Sequence, residues 1–152
     1  TGMPLRPGFE SVEIGKGRKV RDGSDLAFVT YGAIGQYAIE ACDRLAADGV
    51  QAAHYDLRFV KPLDDALLTE VFGRHRRVIT VEDGVRDGGA GSAVGEWAAD
   101  MGMLGATEVV RLGLPDHFLE HGTQRQLHDE VGIGPDGLVR TALSVVGKAE
   151  AA

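Results

Sequence analysis

The sequence predicts an α/β domain of three layers: a mostly parallel sheet of about five strands with one antiparallel edge strand, and helices on both faces. Short β-prone apolar runs alternate with segments whose apolar residues recur at helical spacing, and glycines stand where most of the helical stripes stop. A right-handed crossover through a helix returns the chain to the same sheet, so the strands it joins run parallel. The 152 residues, 43% hydrophobic and 26% charged, suit a single core and not a fibrous or disordered chain.

Residues 1–14 contain Pro4, Pro7 and Gly8 without a helical period and read as an extended linker, 15–147 as the domain and 148–152 as a tail. The basic run from Gly15 to Arg21, followed by Asp22-Gly23, reads as an exposed hairpin strand and its turn, and residues 18–21 as an antiparallel edge strand. Residues 26–31 are a strand, and Gly32 separates it from a helix whose stripe is Ile34, Ala38, Ala41 and Leu45, stopped by Gly49. A strand over 50–57 leads through Lys61-Pro62 to Asp64, an N-cap for a helix that buries Leu67, Leu68, Val71 and Phe72 and ends at Gly73. A strand over 78–82 and a loop over 83–89 precede a helix marked by Ala90, Val94, Trp97 and Met101, stopped by Gly102. Residues 107–112 are a fourth strand and 113–116 a loop. Thr123 and Gln126 form a capping box for a short helix to Val131, and a last helix from Pro135 buries Leu138, Ala142 and Val145 or Val146.

Composition excludes several classes of function. No run approaches the roughly 20 apolar residues of a membrane span, and residues 1–25 lack the apolar stretch of a signal peptide, so a cytoplasmic location without membrane partners is expected. A net charge of -7 disfavours a nucleic-acid partner, and the single Cys42 excludes an internal disulfide framework.

Open α/β sheets bind ligands beyond the carboxyl ends of their strands, which directs attention to Tyr31-Gly32, Arg58, Glu82-Asp83-Gly84 and Gly113. Gly88-Gly89-Ala90-Gly91-Ser92 is a glycine-rich turn feeding a helix, and its amides can hold an anion. It lacks the ending of a P-loop and does not follow the first strand, so close packing of the helix, against another subunit for example, is the stronger reading. His117, Glu120 and His121 match a zinc-peptidase spacing, but Pro115 before them and Gly122 after leave barely one helical turn. Ser92 lacks the glycines of a nucleophile elbow, and Cys42 falls beside a buried stripe, where a thiol acts as a small hydrophobe. Asp56 and Glu82 end strands that look adjacent; Arg58 offers each a salt bridge, a simpler role than a catalytic carboxylate pair.

The ordered set Ile14-Gly15-Lys16-Gly17-Arg18, Asp56-Leu57-Arg58-Phe59-Val60-Lys61-Pro62-Leu63-Asp64, Val81-Glu82-Asp83-Gly84, Gly88 to Val94, and Leu112-Gly113-Leu114-Pro115-Asp116-His117-Phe118 with His121-Gly122-Thr123 resembles one family. It is similar to the C-terminal, transketolase-type domain of 1-deoxy-D-xylulose-5-phosphate synthase, over about residues 10–146.

That resemblance implies a thiamine diphosphate enzyme that joins the two-carbon unit of pyruvate to glyceraldehyde 3-phosphate, releases carbon dioxide and serves isoprenoid and thiamine synthesis. In the family the cofactor and its magnesium ion sit in an N-terminal domain, and the activating glutamate and phosphate-gripping arginine in a middle domain. This chain is therefore expected to bind neither cofactor nor metal, to hold no catalytic residue and to be inert alone. Its expected partners are those two domains and a second copy of the whole enzyme. Tyr31, Arg58, Glu82, Gly88, Gly89, Gly91, Ser92, Asp116 and His117 are the candidate interface or anion-site residues. Two alternatives remain: a separate subunit of a split transketolase or 2-oxoacid dehydrogenase, and a regulatory anion-binding module.

Overall fold

The computed structural model describes residue 8 and residues 11–150, with side chains to residue 147; most of the linker 1–14 and residues 151–152 lie outside the described residues, while residues 148–150 of the expected tail continue the last helix. Strand β1 (Arg18–Arg21), β2 (Leu26–Tyr31), β3 (Ala52–Asp56), β4 (Arg77–Val85) and β5 (Glu108–Leu114) form one sheet in the order β1-β3-β2-β4-β5. The β3, β2, β4 and β5 neighbours are parallel, and β1 is antiparallel to β3 at the edge, as the alternating pattern predicts.

Alternation along each strand divides the core into two halves. Leu26, Phe28, Ile79 and Val81 face one side with Ala38, Ala41 and Leu45 of α1 (Gly35–Ala47) and Leu138 and Ala142 of α5 (Pro135–Glu150). Ala27, Val29, Ala53, Tyr55 and Val78 face the other side with Leu68 and Val71 of α2 (Asp65–Arg74) and Val94 and Ala98 of α3 (Ala90–Asp100). Burying each larger apolar side chain contributes about 1.5–3 kcal/mol, so both faces must be covered for the sheet to persist. Cys42 is fully buried in the first half, where burial pushes its thiol up to about 11.

The caps follow the sequence. Asp64 accepts the Leu67 amide with Oδ1 at 3.1 Å and the Gly17 amide with Oδ2 at 3.2 Å, so one carboxylate starts α2 and ties down the approach to β1. Thr123 and Gln126 form the reciprocal capping box of α4 (Gln124–Glu130). Gly49 and Gly102 take the left-handed conformation that ends a helix, with φ of 83° and 68°.

Several expectations are corrected. The basic strand forms no hairpin with its sequence neighbour: β1 pairs with β3, Arg18 opposite Asp56. Asp56 and Glu82 do not end adjacent strands, because β2 lies between β3 and β4. Gly73 lies inside α2, and the chain leaves the helix at His75. Met101 lies just beyond α3 and is 54% exposed, followed by an unpredicted 3-10 turn over Leu104–Ala106. Both β4 and β5 run past their predicted ends, because Val85 and Leu114 pair after an irregularity in the ladder.

Candidate functional site at the carboxyl edge of the sheet

The chain moves from β2 outward to β3 and then back past β2 to β4, so the topological switch point lies between the carboxyl ends of β2 and β4. The register places Tyr31 opposite Glu82 there. Both flanks of this point are satisfied from within the chain. On one side the Glu82 carboxylate, 5% exposed, accepts the amides of Ala90 at 2.7 Å and Gly91 at 2.8 Å. These are first-turn amides of α3, so the anion that the glycine-rich turn is suited to hold is the chain's own side chain.

The glycines make that contact possible. A Cβ on Gly89 would stand 2.1 Å from Glu82 Oε2, and one on Gly91 would stand 2.4 Å from the Thr80 hydroxyl. The close packing read from the sequence is therefore made inside this chain, against β4. Ser92 is a strut: its hydroxyl donates to the Arg86 carbonyl at 3.0 Å and accepts from the Gly88 amide at 3.0 Å and Arg111 Nη1 at 2.6 Å. Gly88 turns the chain with φ of 81°.

On the other side Asp83 accepts from Gln124 Nε2 at 3.1 Å and from His128 Nε2 at 3.0 Å, which anchors α4 over the end of β4. Tyr37 of α1 meets His128 edge-on, and the Arg125 guanidinium lies 5.0 Å from the centre of the Tyr37 ring. Sequence reading missed this cluster. Its signal is the spacing of Gln124 and His128, four residues apart and hence on one helical face.

The remaining candidates do not converge. Tyr31 and Arg58 line an open hollow of about 590 Å³ with Val12, Gly32 and Phe59. Arg58 adopts φ of 56°, the left-handed region that a non-glycine residue rarely occupies, and its amide donates to Asp56 Oδ1 at 3.1 Å. The salt bridges expected from Arg58 are not made: Asp56 pairs with Arg18 at 3.1 Å, and Glu82 with backbone amides. Asp116 and His117 lie exposed in the irregular segment 115–123, His117 bordering a cleft of about 310 Å³ with Arg86, Arg111 and Glu130. His117 and His121 are therefore not presented on successive turns of a helix.

Three buried histidines make their side-chain contacts through Nε2 and leave Nδ1 without a partner. His54 Nε2 lies 2.9 Å from Thr30 Oγ1, which also reaches the Tyr55 carbonyl at 3.4 Å, and His54 Nδ1 has no partner. Tyr55 donates to Glu70, so His75 Nε2–H donates to Tyr55 at 3.3 Å; His128 Nε2–H donates to Asp83. Burial, more than the opposing charges of Asp56 and Arg18, lowers His54 to about 4. Burial also lowers His75.

The residues do not fit a thiamine diphosphate. The amides of the glycine-rich turn are taken by Glu82, and among the described residues no group of three or more His, Cys, Asp or Glu side chains gathers as a metal set would. These contacts belong to an α/β domain with a mostly parallel sheet, and comparison with known proteins gives the family. Residues 15–138 match the family described as transketolase, C-terminal domain, and the chain belongs to it.

Within that family the chain is homologous to 1-deoxy-D-xylulose-5-phosphate synthases. It is 48% identical over 139 residues to the synthase of Cytophaga hutchinsonii, covering 91% of this chain and 22% of that protein. It is 47% identical over 133 residues to that of Bacteroides fragilis, covering 87% of this chain and 20% of that protein. The chain thus spans about a fifth of the length of these curated relatives. A solved structure named as a split gene transketolase, an inactive beta4 tetramer, matches with a TM-score of 0.81 and 30% identity, covering 90% of this chain and 44% of that one. No described helix is long and apolar enough to cross a membrane.

Proposed function

We propose that this domain is the scaffold portion of a thiamine diphosphate-dependent 1-deoxy-D-xylulose-5-phosphate synthase, inert alone and supporting the part that binds cofactor and substrates. The whole enzyme would condense pyruvate with glyceraldehyde 3-phosphate in the cytoplasm and work as a dimer. The observation that carries this reading is the internal closure of the switch point by Glu82 on one flank and by the Asp83–His128 contact on the other. Carboligation needs the cofactor's reactive carbon held against substrate, and this edge is committed to holding the domain's own helices.

Relatives named as this synthase match at 47–48% identity, which favours it over a 2-oxoacid dehydrogenase subunit. The split-gene neighbour supports a second reading, a free-standing subunit that meets its cofactor-binding partner without a covalent link. The anion-module reading loses its main support, since the turn amides already have an anion.

A chimera tests the proposal. Replacing the C-terminal region of the Cytophaga hutchinsonii synthase with this chain should preserve formation of 1-deoxyxylulose 5-phosphate, whereas this chain alone should form none. A chimera that is soluble and loads cofactor but is as inactive as the truncated relative would refute it.

A further inference from the structure

We propose that the hollow between Tyr31 and Arg58 is the docking surface for the part of the synthase that precedes this domain, which presents to it an apolar side chain and a carboxylate. This rests on the reading that the chain belongs to that larger enzyme. The hollow, of about 590 Å³, lies beyond the carboxyl ends of β2 and β3 and is lined by Val12, Tyr31, Gly32, Asp56, Arg58 and Phe59. It gathers apolar surface that the core does not use. Val12 and Tyr31 are 47% and 38% exposed, and Ile14, close to Val12 in the chain, is 76% exposed. Exposed apolar groups rimmed by polar ones mark an interaction surface.

Arg58 is the anchor of this surface. Its φ of 56° falls in the left-handed region, which glycine enters without steric cost and a residue with a Cβ does not. Asp56 holds it there: Oδ1 accepts the Arg58 amide at 3.1 Å, and Oδ2 accepts from Arg18 Nε at 3.1 Å. With Asp56 taken by Arg18 and by the backbone, the Arg58 guanidinium finds no acceptor among the described residues, and the Tyr31 hydroxyl finds no partner there either. A position that suits glycine thus carries a planar fork of donors beside apolar side chains, an arrangement that grips a carboxylate brought from outside.

The path of the chain selects the occupant. Asp64 accepts the Gly17 amide at 3.2 Å, and Gly15 lies so close to Pro62 that an added Cβ would stand 2.8 Å from its ring. The entry segment is thereby pinned, and Val12 is delivered into the hollow. Polypeptide joined ahead of residue 11 meets this face at the high effective concentration of a tethered partner. The curated relatives supply such a partner, since this C-terminal-type domain matches only about a fifth of their length. A second copy of the chain is the poorer occupant, because an isologous contact centred here sets Arg58 against Arg58.

Hydroxyl-radical footprinting of the 152-residue chain and of the chimera tests this. Oxidation of Tyr31 and Phe59 should be fast in the chain alone and several-fold slower in the chimera. Arg58→Glu should return both residues of the chimera to the rate of the chain alone. Arg58→Gly should do the same without lowering the melting temperature of the isolated chain, since glycine takes the left-handed region freely. A lower melting temperature for that isolated variant would make the arginine structural and overturn the proposal. Slow oxidation in the isolated chain that is lost on dilution would assign the face to a second copy, and slowing by millimolar inorganic phosphate would assign it to a free anion; either overturns the proposal. A chimera that forms product while Tyr31 and Phe59 stay reactive would sink the docking surface and leave the scaffold reading standing. Protection of both residues in a soluble, cofactor-loaded chimera that forms no product would do the reverse.

Discussion

Glu82 and Gly91 face each other across 2.8 Å, carboxylate oxygen to amide nitrogen, where the end of β4 meets the start of α3. With the Ala90 amide at 2.7 Å the carboxylate satisfies two donors that would otherwise be buried without partners. Glu82→Ala should cost about 2–4 kcal/mol in urea unfolding, because it removes charge-assisted bonds and leaves both amides orphaned. Glu82→Gln keeps an acceptor and should cost less. Equal losses for the two variants would mean that packing, not hydrogen bonding, is what the glutamate supplies.

Two glycines of α3 should respond oppositely to alanine. At Gly91 the added Cβ falls 2.4 Å from the Thr80 hydroxyl, whereas at Gly95 nothing lies within 4 Å. Gly91→Ala should lose roughly 1–3 kcal/mol by overpacking, and Gly95→Ala should gain up to about 1 kcal/mol of helix propensity. Thr80→Ala should recover part of the Gly91→Ala loss. Thermal melting of the set checks both signs.

Acid should weaken the domain before its carboxylates titrate. His54 has a folded pKa of about 4 against an ordinary 6.5, so folding favours its neutral form. The contribution is fully present above the unfolded value and declines as the pH falls from about 6.5 toward 4, amounting to about 2 kcal/mol lost by pH 5. His75, also lowered by burial, adds in the same direction. Unfolding free energy measured at pH 7.5 and pH 5 should differ by at least this much, and His54→Gln should flatten the difference.

Asp64 links two elements through one side chain. Burial alone would raise its pKa, but the amides of Leu67 and Gly17 and the Lys16 ammonium together hold it below the usual carboxylate value. Asp64→Ala should cost about 1–2 kcal/mol. Faster hydrogen exchange at Gly17 as well as at Leu67 would show that the cap also anchors the approach to β1; a change at Leu67 alone would restrict its role to α2.

The parts of this fold that were legible in the sequence depend on local rules. Helical stripes, Asp64 and Thr123 as caps, and Gly49 and Gly102 as stops are decided within a few residues of each other. What local rules miss is set by partners far along the chain. Asp22-Gly23 looks like a hairpin turn, yet Arg18 pairs with Asp56. Asp83-Gly84 looks like a loop, yet Val85 regains a partner in Leu114. The candidate site was legible as a position, since Tyr31 and Glu82 do stand together at the switch point. That Glu82 is itself the anion, and that His128 closes the other flank, depends on tertiary contacts between different elements.

The most direct test of the central claim is a calorimetric titration of thiamine diphosphate with magnesium into the 152-residue chain. A domain whose strand ends hold its own helices should give no saturable heat and no rise in melting temperature at millimolar cofactor. Saturable binding in the micromolar range, abolished by substitution of Tyr31 or Arg58, would contradict the scaffold account and place a cofactor site on this domain.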